Sequence, residues 1–263
     1  MFFSNKHIYN KVSILISIFL TITGLINLQK VQLLKLNSSE EIDYFKQERY
    51  LKTKVKLQQK VPSFSFDNLL ANWNFLQFIQ YFGDTEARNV TGYSVVTDYF
   101  ETGVERDPNF IQSHLVMSPA NSLFAAEPEK TIELLNRALK TVNPKVPYYP
   151  FFLWTYKATD EILFLGDLEI AKESYRMATK WAELRKDELG EKLSQRYQQT
   201  AQFLATNPDP TQAQFGAWMN VLSTAKDQKT QDYVLDRLRK LGAEININPD
   251  GDIDIRPPKF DKV

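Results

Sequence analysis

Few residues in this sequence are of the types that catalyse reactions or bind metals. There are no cysteines and only two histidines, His7 and His114. The lack of cysteine excludes disulfides, thiolate metal ligands, cysteine nucleophiles and lipid attachment through a thiol. Two histidines cannot build a histidine-rich metal site. His114 falls in a predicted helix, where a packed or groove-facing histidine is commoner than a ligand.

The acidic residues do not form a catalytic pattern either. Asp160 and Glu161 are adjacent, so on a helix they point to different faces. Asp250, Asp252 and Asp254 alternate, but the spacing of an EF-hand loop and its distal glutamate are missing, which favours turn chemistry over calcium binding. The nucleophile-elbow, phosphate-loop, dinucleotide and zinc-protease motifs are absent. We therefore expect no catalytic residues, no metal site and no cofactor, in a protein that is not an enzyme.

Length and composition fit one folded domain with appendages. The chain has 263 residues, and 43% of them are hydrophobic, which is enough for a core. Lys plus Arg and Asp plus Glu both total 32, so no net charge draws the protein to nucleic acid.

An uncharged apolar run, VSILISIFLTITGLINLQ at residues 12–29, follows a basic N-terminus at residues 1–11. Its 18 residues and flanking lysines favour a single-pass transmembrane anchor over a buried core helix. A cleaved signal peptide is disfavoured because no small residues follow at the spacing of a cleavage site. The basic N-terminus favours a body outside the cytoplasm, in a periplasm or lumen, although Lys30 and Lys35 oppose that orientation.

Residues 30–62 are polar and charged, with scattered apolar residues, and end at Pro62. This pattern predicts a helical stalk or linker. We expect its lysines on a solvated face, and the alternative is contact with anionic lipid headgroups.

The segment from Asp67 to Gly83 predicts a helix that is apolar nearly all round. Such helices are usually buried, so we expect this one inside the fold. The alternatives are an aromatic groove for a partner or a second membrane contact. Four amide side chains oppose a second span: Asn72, Asn74, Gln77 and Gln80.

Residues 151–181 predict two helices folded back on each other across Leu165-Gly166-Asp167. Apolar residues recur at three- and four-residue steps on both sides of the glycine. Ala171 and Ala178 would allow close approach of two helix backbones, with Tyr175 filling the space between them.

Three predicted helices share one pattern of small or branched, large and small residues at steps of four and three. The triplets are Val96, Phe100 and Gly103; Thr131, Leu135 and Ala138; and Ala171, Tyr175 and Ala178. Their last members are 35 and 40 residues apart, which fits a helix-turn-helix repeat with an insertion at residues 142–149.

This pattern resembles the tetratricopeptide repeat family, and its closest match is Gly166, Asp167, Ala171, Tyr175 and Ala178. The middle unit departs from the family at its small and aromatic positions, and the first-helix tryptophan-leucine-glycine signature is missing. The resemblance covers residues 68–182. It implies stacked helix pairs whose curved inner face binds a peptide or helix of another protein.

The segment NLLANWNFLQFIQYFGD, followed by irregular repeats, also resembles membrane-linked repeat proteins of bacteria, in particular cyanobacteria. That resemblance implies that this chain is related to assembly factors of photosynthetic membranes.

After Trp181 we predict three capping helices and, at residues 243–263, a β-hairpin with a loose tail. Ile245 and Ile247 alternate with polar residues, as do Ile253 and Ile255 after a turn at residues 248–251. The predicted fold is all-α: an α-solenoid of tetratricopeptide-like helix pairs at residues 63–242, with an N-terminal transmembrane helix and a small C-terminal β-hairpin.

These expectations lead to a membrane-anchored scaffold that binds other proteins and aids assembly or organisation of a membrane protein complex. The alternatives are a permanent structural subunit of such a complex, or a small-ligand, lipid-binding or enzymatic module. For the protein-binding face we predict first-helix residues on the concave side, namely Asn109, Gln112, His114, Tyr156 and Lys157. The partners would be membrane-complex subunits, and the membrane itself through residues 12–29.

Overall fold

The computed structural model describes residues 14, 16–27, 29–30, 43–147, 149–248 and 253–259. Its contacts divide the chain into two compact units, Met1–Asp43 and Tyr44–Val263.

In the first unit, residues 16–27 are helical and expose large apolar side chains such as Phe19 and Leu20. No helix within the described part of the chain is both long enough and apolar enough to cross a membrane. The predicted anchor at residues 12–29 includes positions 12, 13, 15 and 28, which lie outside the described residues. The predicted basic N-terminus at residues 1–11 also lies outside them.

The second unit is mostly helical, which confirms the predicted class. Its α-helices, in chain order, are α1 (Tyr44–Lys60), α2 (Asp67–Gly83), α3 (Thr85–Thr91), α4 (Val96–Arg106), α5 (Ile111–Met117), α6 (Pro128–Leu139), α7 (Phe151–Asp160), α8 (Leu168–Glu183), α9 (Glu188–Leu204), α10 (Thr211–Thr224) and α11 (Gln228–Lys240). Two π-helical segments continue α5 and α7: π1 (Ser118–Phe124) and π2 (Glu161–Leu165). The strands β1 (Glu244–Ile247) and β2 (Ile253–Arg256) follow.

Helix α1 is part of the helical body, whereas the sequence pattern predicted a helical stalk or linker at residues 30–62. It packs against α3 and α4, and its Val55 is fully buried in the main core. Its carboxylate Glu48 is buried too, where it pairs with Arg88 of α3. The body therefore begins at Tyr44, and residues 31–42 of the predicted stalk lie outside the described residues.

Helix α2 is not buried all round, so that expectation is wrong. Its inner side packs on α4, with Phe78 against Phe100 at a ring distance of 4.7 Å and Tyr81 against Tyr99 at 5.5 Å. The side of α2 opposite α4 carries exposed apolar residues, among them Trp73 and Leu76.

The three helices that carry the repeated triplets are α4, α6 and α8, and all the triplet residues are buried except Tyr175 of α8, which is half-buried. Phe100, Leu135 and Ala171 are all almost completely inaccessible. The predicted helix pair across Gly166 is confirmed, because α7 and α8 pack along each other. Gly166 takes the left-handed backbone conformation, with φ +69°, and Asp167 caps α8 by accepting a hydrogen bond from the Ile170 amide at 3.0 Å.

The pairs α5–α6 and α7–α8 turn with the same backbone bonds. The Glu127 amide donates to the Asn121 carbonyl, and the Asp167 amide donates to the Glu161 carbonyl, each at 3.0 Å. Ala126 precedes Glu127 with φ +55°, as Gly166 precedes Asp167. The turn at Ala126 therefore has the geometry of the glycine turn, although no glycine marks it in the sequence.

The end of the chain forms a second core around Trp218 of α10, which also includes Leu238 of α11. The predicted hairpin is confirmed: β1 and β2 are antiparallel, with Ile245 opposite Ile255 and Ile247 opposite Ile253. Residues 249–252 of its turn and residues 260–263 of the tail lie outside the described part.

Candidate functional site

The five residues predicted to bind proteins do not share one exposed surface. Asn109 and Gln112 are exposed and Tyr156 is half-buried, but His114 and Lys157 are buried. A buried side chain cannot contact a partner without a rearrangement of the helices, so only the first three remain available.

His114 is held inside the fold as a neutral ring. Burial lowers the pKa of His114 to about 4. Its Nε2 lies 3.0 Å from the Pro108 carbonyl oxygen, which can only accept, so Nε2 carries the proton. No nucleophile approaches the ring in the hydrogen bonds of the described residues, and a general-base role has no support.

Lys157 belongs to a buried ion pair. Its ammonium contacts Oε1 of Glu161 one turn along, and it donates to the Ser174 hydroxyl of α8 at 2.8 Å. The Ser174 hydroxyl donates in turn to Oε2 of Glu161 at 2.7 Å. This triangle fastens the first helix of the pair to the second, which is a structural role.

Asp160, the neighbour of Glu161, closes a second polar cluster between π1 and α7. It accepts hydrogen bonds from the hydroxyls of Ser118 at 2.8 Å and Ser122 at 2.7 Å. Burial raises the pKa of Asp160 to about 7. Asp160 and Glu161 have different hydrogen-bond partners, which agrees with the prediction that they point to different faces of the helix.

A third buried network fixes α1 to α3. The Arg88 guanidinium donates to both carboxylate oxygens of Glu48 at 2.9–3.2 Å and lies over the Tyr81 ring at 3.7 Å. Tyr81 donates to Glu48 at 2.7 Å, and burial raises the pKa of its phenol. The sequence does hold a signal for this network, since Glu48 is the one acidic residue among several basic ones in α1.

The feature of the body that most resembles a binding site is apolar and lies on α1 and α2. Six large side chains are about half exposed or more on the sides of these helices that face away from α4. We call them the outer apolar face: Tyr50 and Leu57 on α1, and Leu69, Trp73, Leu76 and Ile79 on α2. Leu69 is 64% exposed and Trp73 56% exposed.

The two helices of this face are joined to each other and to the same side of the body. Gln58 of α1 donates to Gln77 of α2 at 3.4 Å, and both helices pack on α4. Arg106 of α4 binds the carbonyls that end α1, including that of Gln59 at 2.9 Å, and also Asp67 at the start of α2 at 3.0 Å. Both helices that carry the outer apolar face are therefore attached to α4.

The polar pattern of α2 explains why the sequence favoured burial of this helix and gave a binding surface only as an alternative. Asn74 lies on the inner side, where its amide donates to the Tyr99 carbonyl at 2.7 Å, and Gln77 is also buried. Leucine and tryptophan occupy the outer side. Because two amides are buried and the other two, Asn72 and Gln80, are exposed among apolar residues, hydropathy alone does not show which side of α2 faces the core.

A cleft of about 300 Å³ lies elsewhere, between the start of α6 and the start of α11. Its lining mixes carboxylates and lysines, including Glu129, Lys130 and Lys229, with Tyr93 and Tyr233. His114 is not among its lining residues. No group of three or more histidine or acidic side chains in the described residues is placed to hold a metal ion.

A scan of protein-family models finds no match to this chain, and searches of curated proteins and of solved structures find none either.

Proposed function

We propose that this chain is a membrane-anchored helical scaffold that binds other proteins and aids the assembly or organisation of a membrane protein complex. The uncharged run at residues 12–29 is the proposed single-pass anchor, with the body in a periplasm or lumen. We also propose that the chain is a tetratricopeptide-like scaffold, and the repeated helix pairs support this.

The observation that carries the proposal is the repeated construction of the body. The pairs α5–α6 and α7–α8 share the same turn bonds, and the triplet positions of α4, α6 and α8 are buried apart from the half-buried Tyr175. Stacked helix pairs present extended surfaces that suit a peptide or a helix of another protein. A membrane tether raises the effective concentration of such a surface near membrane-embedded partners.

The proposed protein-binding surface lies on the first helices of these pairs. Helices α5 and α7 contact each other. Gln112 and Val116 are exposed on α5, while Tyr156 is half-buried on α7 and Asn109 is exposed just before α5. This surface keeps three members of the predicted set and omits His114 and Lys157.

The test is a crosslinking pull-down of the tagged full-length protein from solubilised membranes. A variant that lacks residues 1–30 tests the anchor, and Gln112→Arg tests the proposed surface. The matched control is Gln202→Arg, the same change at an exposed position of α9. We expect a defined set of membrane proteins with the full-length chain and the control, and their loss with the other two variants. Recovery of the folded protein alone would sink the proposal.

A further inference from the structure

The six side chains of the outer apolar face are each about half exposed or more. Leu69, Trp73 and Leu76 follow one another at steps of four and three, so they line one side of α2. Contiguous exposed apolar patches on soluble domains mark interfaces with proteins or membranes. The charges around the face and its covalent connection to the apolar run indicate what binds there.

The charge beside the face is positive. Helix α1 carries six basic residues, namely Lys46, Arg49, Lys52, Lys54, Lys56 and Lys60, in a chain whose total formal charge is zero. Two of them, Lys52 and Lys56, form ion pairs with Asp98 of α4 at 3.9 and 3.7 Å. Its one acidic residue, Glu48, is buried against Arg88. Lys54 and Lys60 stand within one turn of Leu57, and Lys46 stands one turn before Tyr50, so basic side chains border the apolar ones.

Helix α2 adds no opposing charge. Its only acidic residue is Asp67, at its first position, which accepts hydrogen bonds from Ser63 at 2.7 Å and Arg106 at 3.0 Å. The exposed polar residues between the apolar ones are uncharged, namely Asn72 and Gln80. Such a surface can meet negative charge without repulsion.

The aromatic residues of the face are of the types enriched at bilayer interfaces. Tyr50 and Trp73 each combine an apolar ring with a polar atom, and both are exposed. Rings of this kind settle among lipid headgroups, with leucine and isoleucine reaching the acyl boundary below. Lysines near such a surface bind anionic headgroups.

The covalent connection keeps the face near a bilayer. Only 14 residues, 30–43, separate the apolar run at residues 12–29 from α1. Even fully extended, they reach no farther than roughly 50 Å. A body tethered this closely meets the membrane surface far more often than it meets a second copy of itself.

We propose that the outer apolar face lies on the surface of a membrane that contains anionic lipids, with α1 and α2 parallel to the bilayer. This inference rests on the proposed anchor and adds to it an orientation of the body. The face binds lipid, which leaves the surface of α5 and α7 for a protein partner.

The absence of cysteine permits a direct test with single spin labels on the full-length protein. The labelled variants are Leu76→Cys on the outer apolar face, Ile22→Cys in the apolar run and Phe203→Cys on α9. All three positions are well exposed, so a label disturbs no core contact. Each variant is reconstituted, without partner proteins, into vesicles of phosphatidylcholine alone or of phosphatidylcholine and phosphatidylglycerol in equal amounts. Accessibility to oxygen and to a water-soluble nickel chelate reports the depth of each label.

We expect the label at position 76 to gain oxygen accessibility and lose chelate accessibility when phosphatidylglycerol is present, while the label at 203 stays in water. Adding Lys54→Glu and Lys60→Glu to the position 76 variant should abolish that change. The matched control, Lys140→Glu with Lys180→Glu at exposed positions of the body, should preserve it.

Three results would overturn the inference. A label at 76 in water in both vesicles, with the label at 22 in lipid, refutes the orientation and leaves the anchor intact. Both labels in water refute the anchor of the proposed function as well. Spin–spin broadening at 76 in both vesicles shows that a second copy of the chain covers the face.

Discussion

Lys157 and Glu161 lie four residues apart across the join between α7 and π2, and Ser174 of α8 contacts both. Their side chains are only 5% and 1% exposed, so the pair exists in a medium that penalises any unpaired charge. Glu188 and Lys192 have the same spacing on α9 but are 80% and 71% exposed. The exposed pair has the same spacing but the opposite order of charges and no serine partner, so it serves as the solvent-exposed control for the buried pair.

Substitution Lys157→Met should destabilise the protein by about 3–5 kcal/mol, because Glu161 is left buried without its cation. Lys192→Met should change stability by less than about 0.5 kcal/mol, since water replaces the lost partner. Urea unfolding of both variants in detergent, followed by circular dichroism, measures the two effects. Equal small losses would mean that the buried pair does not hold α7 to α8.

Asp160 gives the protein a pH dependence whose sign can be derived. The unfolded chain releases this proton near pH 3.8, whereas the folded protein keeps it until about pH 7. Between those values the folded state binds more protons, so the contribution of Asp160 to the free energy of unfolding falls as pH rises, by at most about 1.4 kcal/mol per pH unit. Asparagine copies the protonated form, because it can accept from one serine and donate to the other.

We therefore expect Asp160→Asn to match the unsubstituted protein near pH 4 and to exceed it by about 1–3 kcal/mol at pH 8. Urea titrations across this range would show the difference widening with pH. Asp232→Asn, at an exposed position of α11, is the control and should follow the unsubstituted curve. Parallel curves for Asp160→Asn would show that its carboxyl is already ionised at pH 4.

At the scale of elements, the turn between α7 and α8 depends on Gly166. A Cβ there would lie 2.8 Å from Nε2 of Gln214, and φ is +69°. Gly166→Ala should therefore destabilise the protein by about 1–2 kcal/mol. Gly216, inside α10, has open space around it, so Gly216→Ala should stabilise the protein by about 0.5–1 kcal/mol. Thermal unfolding of the two variants should move the midpoint in opposite directions, and a shared direction would contradict the assigned backbone.

Gly166 also shows which elements the sequence makes predictable. Local spacing predicts the turn at Gly166, the helices that carry the triplets and the hairpin of β1 with β2, and the structure contains each of them. The turn at Ala126 has the same shape with no local signal, because tertiary contacts hold an alanine at positive φ.

The sequence could not decide between burial of α2 and the alternative of an exposed binding surface, because exposure depends on which side of α2 meets α4. That choice is made by long-range contacts such as Asn74 with the Tyr99 carbonyl, 25 residues away. Lys157 and His114 are polar residues of types that are usually exposed. Lys157 is buried beside Ser174, 17 residues away, and His114 is buried beside the Pro108 carbonyl at the turn before its helix. In each case, contacts with other parts of the fold decide which residues are buried, and hydropathy along the sequence does not show them.

At the scale of the whole molecule, the boundary of the folded body lies at Tyr44, which makes α1 a structural helix. Helix α1 supplies Val55 to the main core and Glu48 to Arg88, which is itself buried. Removing α1 would leave the Arg88 cation without its carboxylate and would uncover the inner side of α4. A comparison of fragments that contain or lack α1 therefore tests whether α1 belongs to the folded body.

We expect a fragment of residues 44–263 to unfold cooperatively, and one of residues 63–263 to be less stable by about 3–5 kcal/mol from the unpaired Arg88 alone. Urea unfolding and limited proteolysis compare the two fragments. Adding Arg88→Met to the shorter fragment should recover part of the loss, because it removes the buried charge that α1 no longer neutralises. If the two fragments are equally stable, residues 44–60 are a stalk that does not stabilise the body. Tyr50 and Leu57 of α1 would then not belong to the outer apolar face.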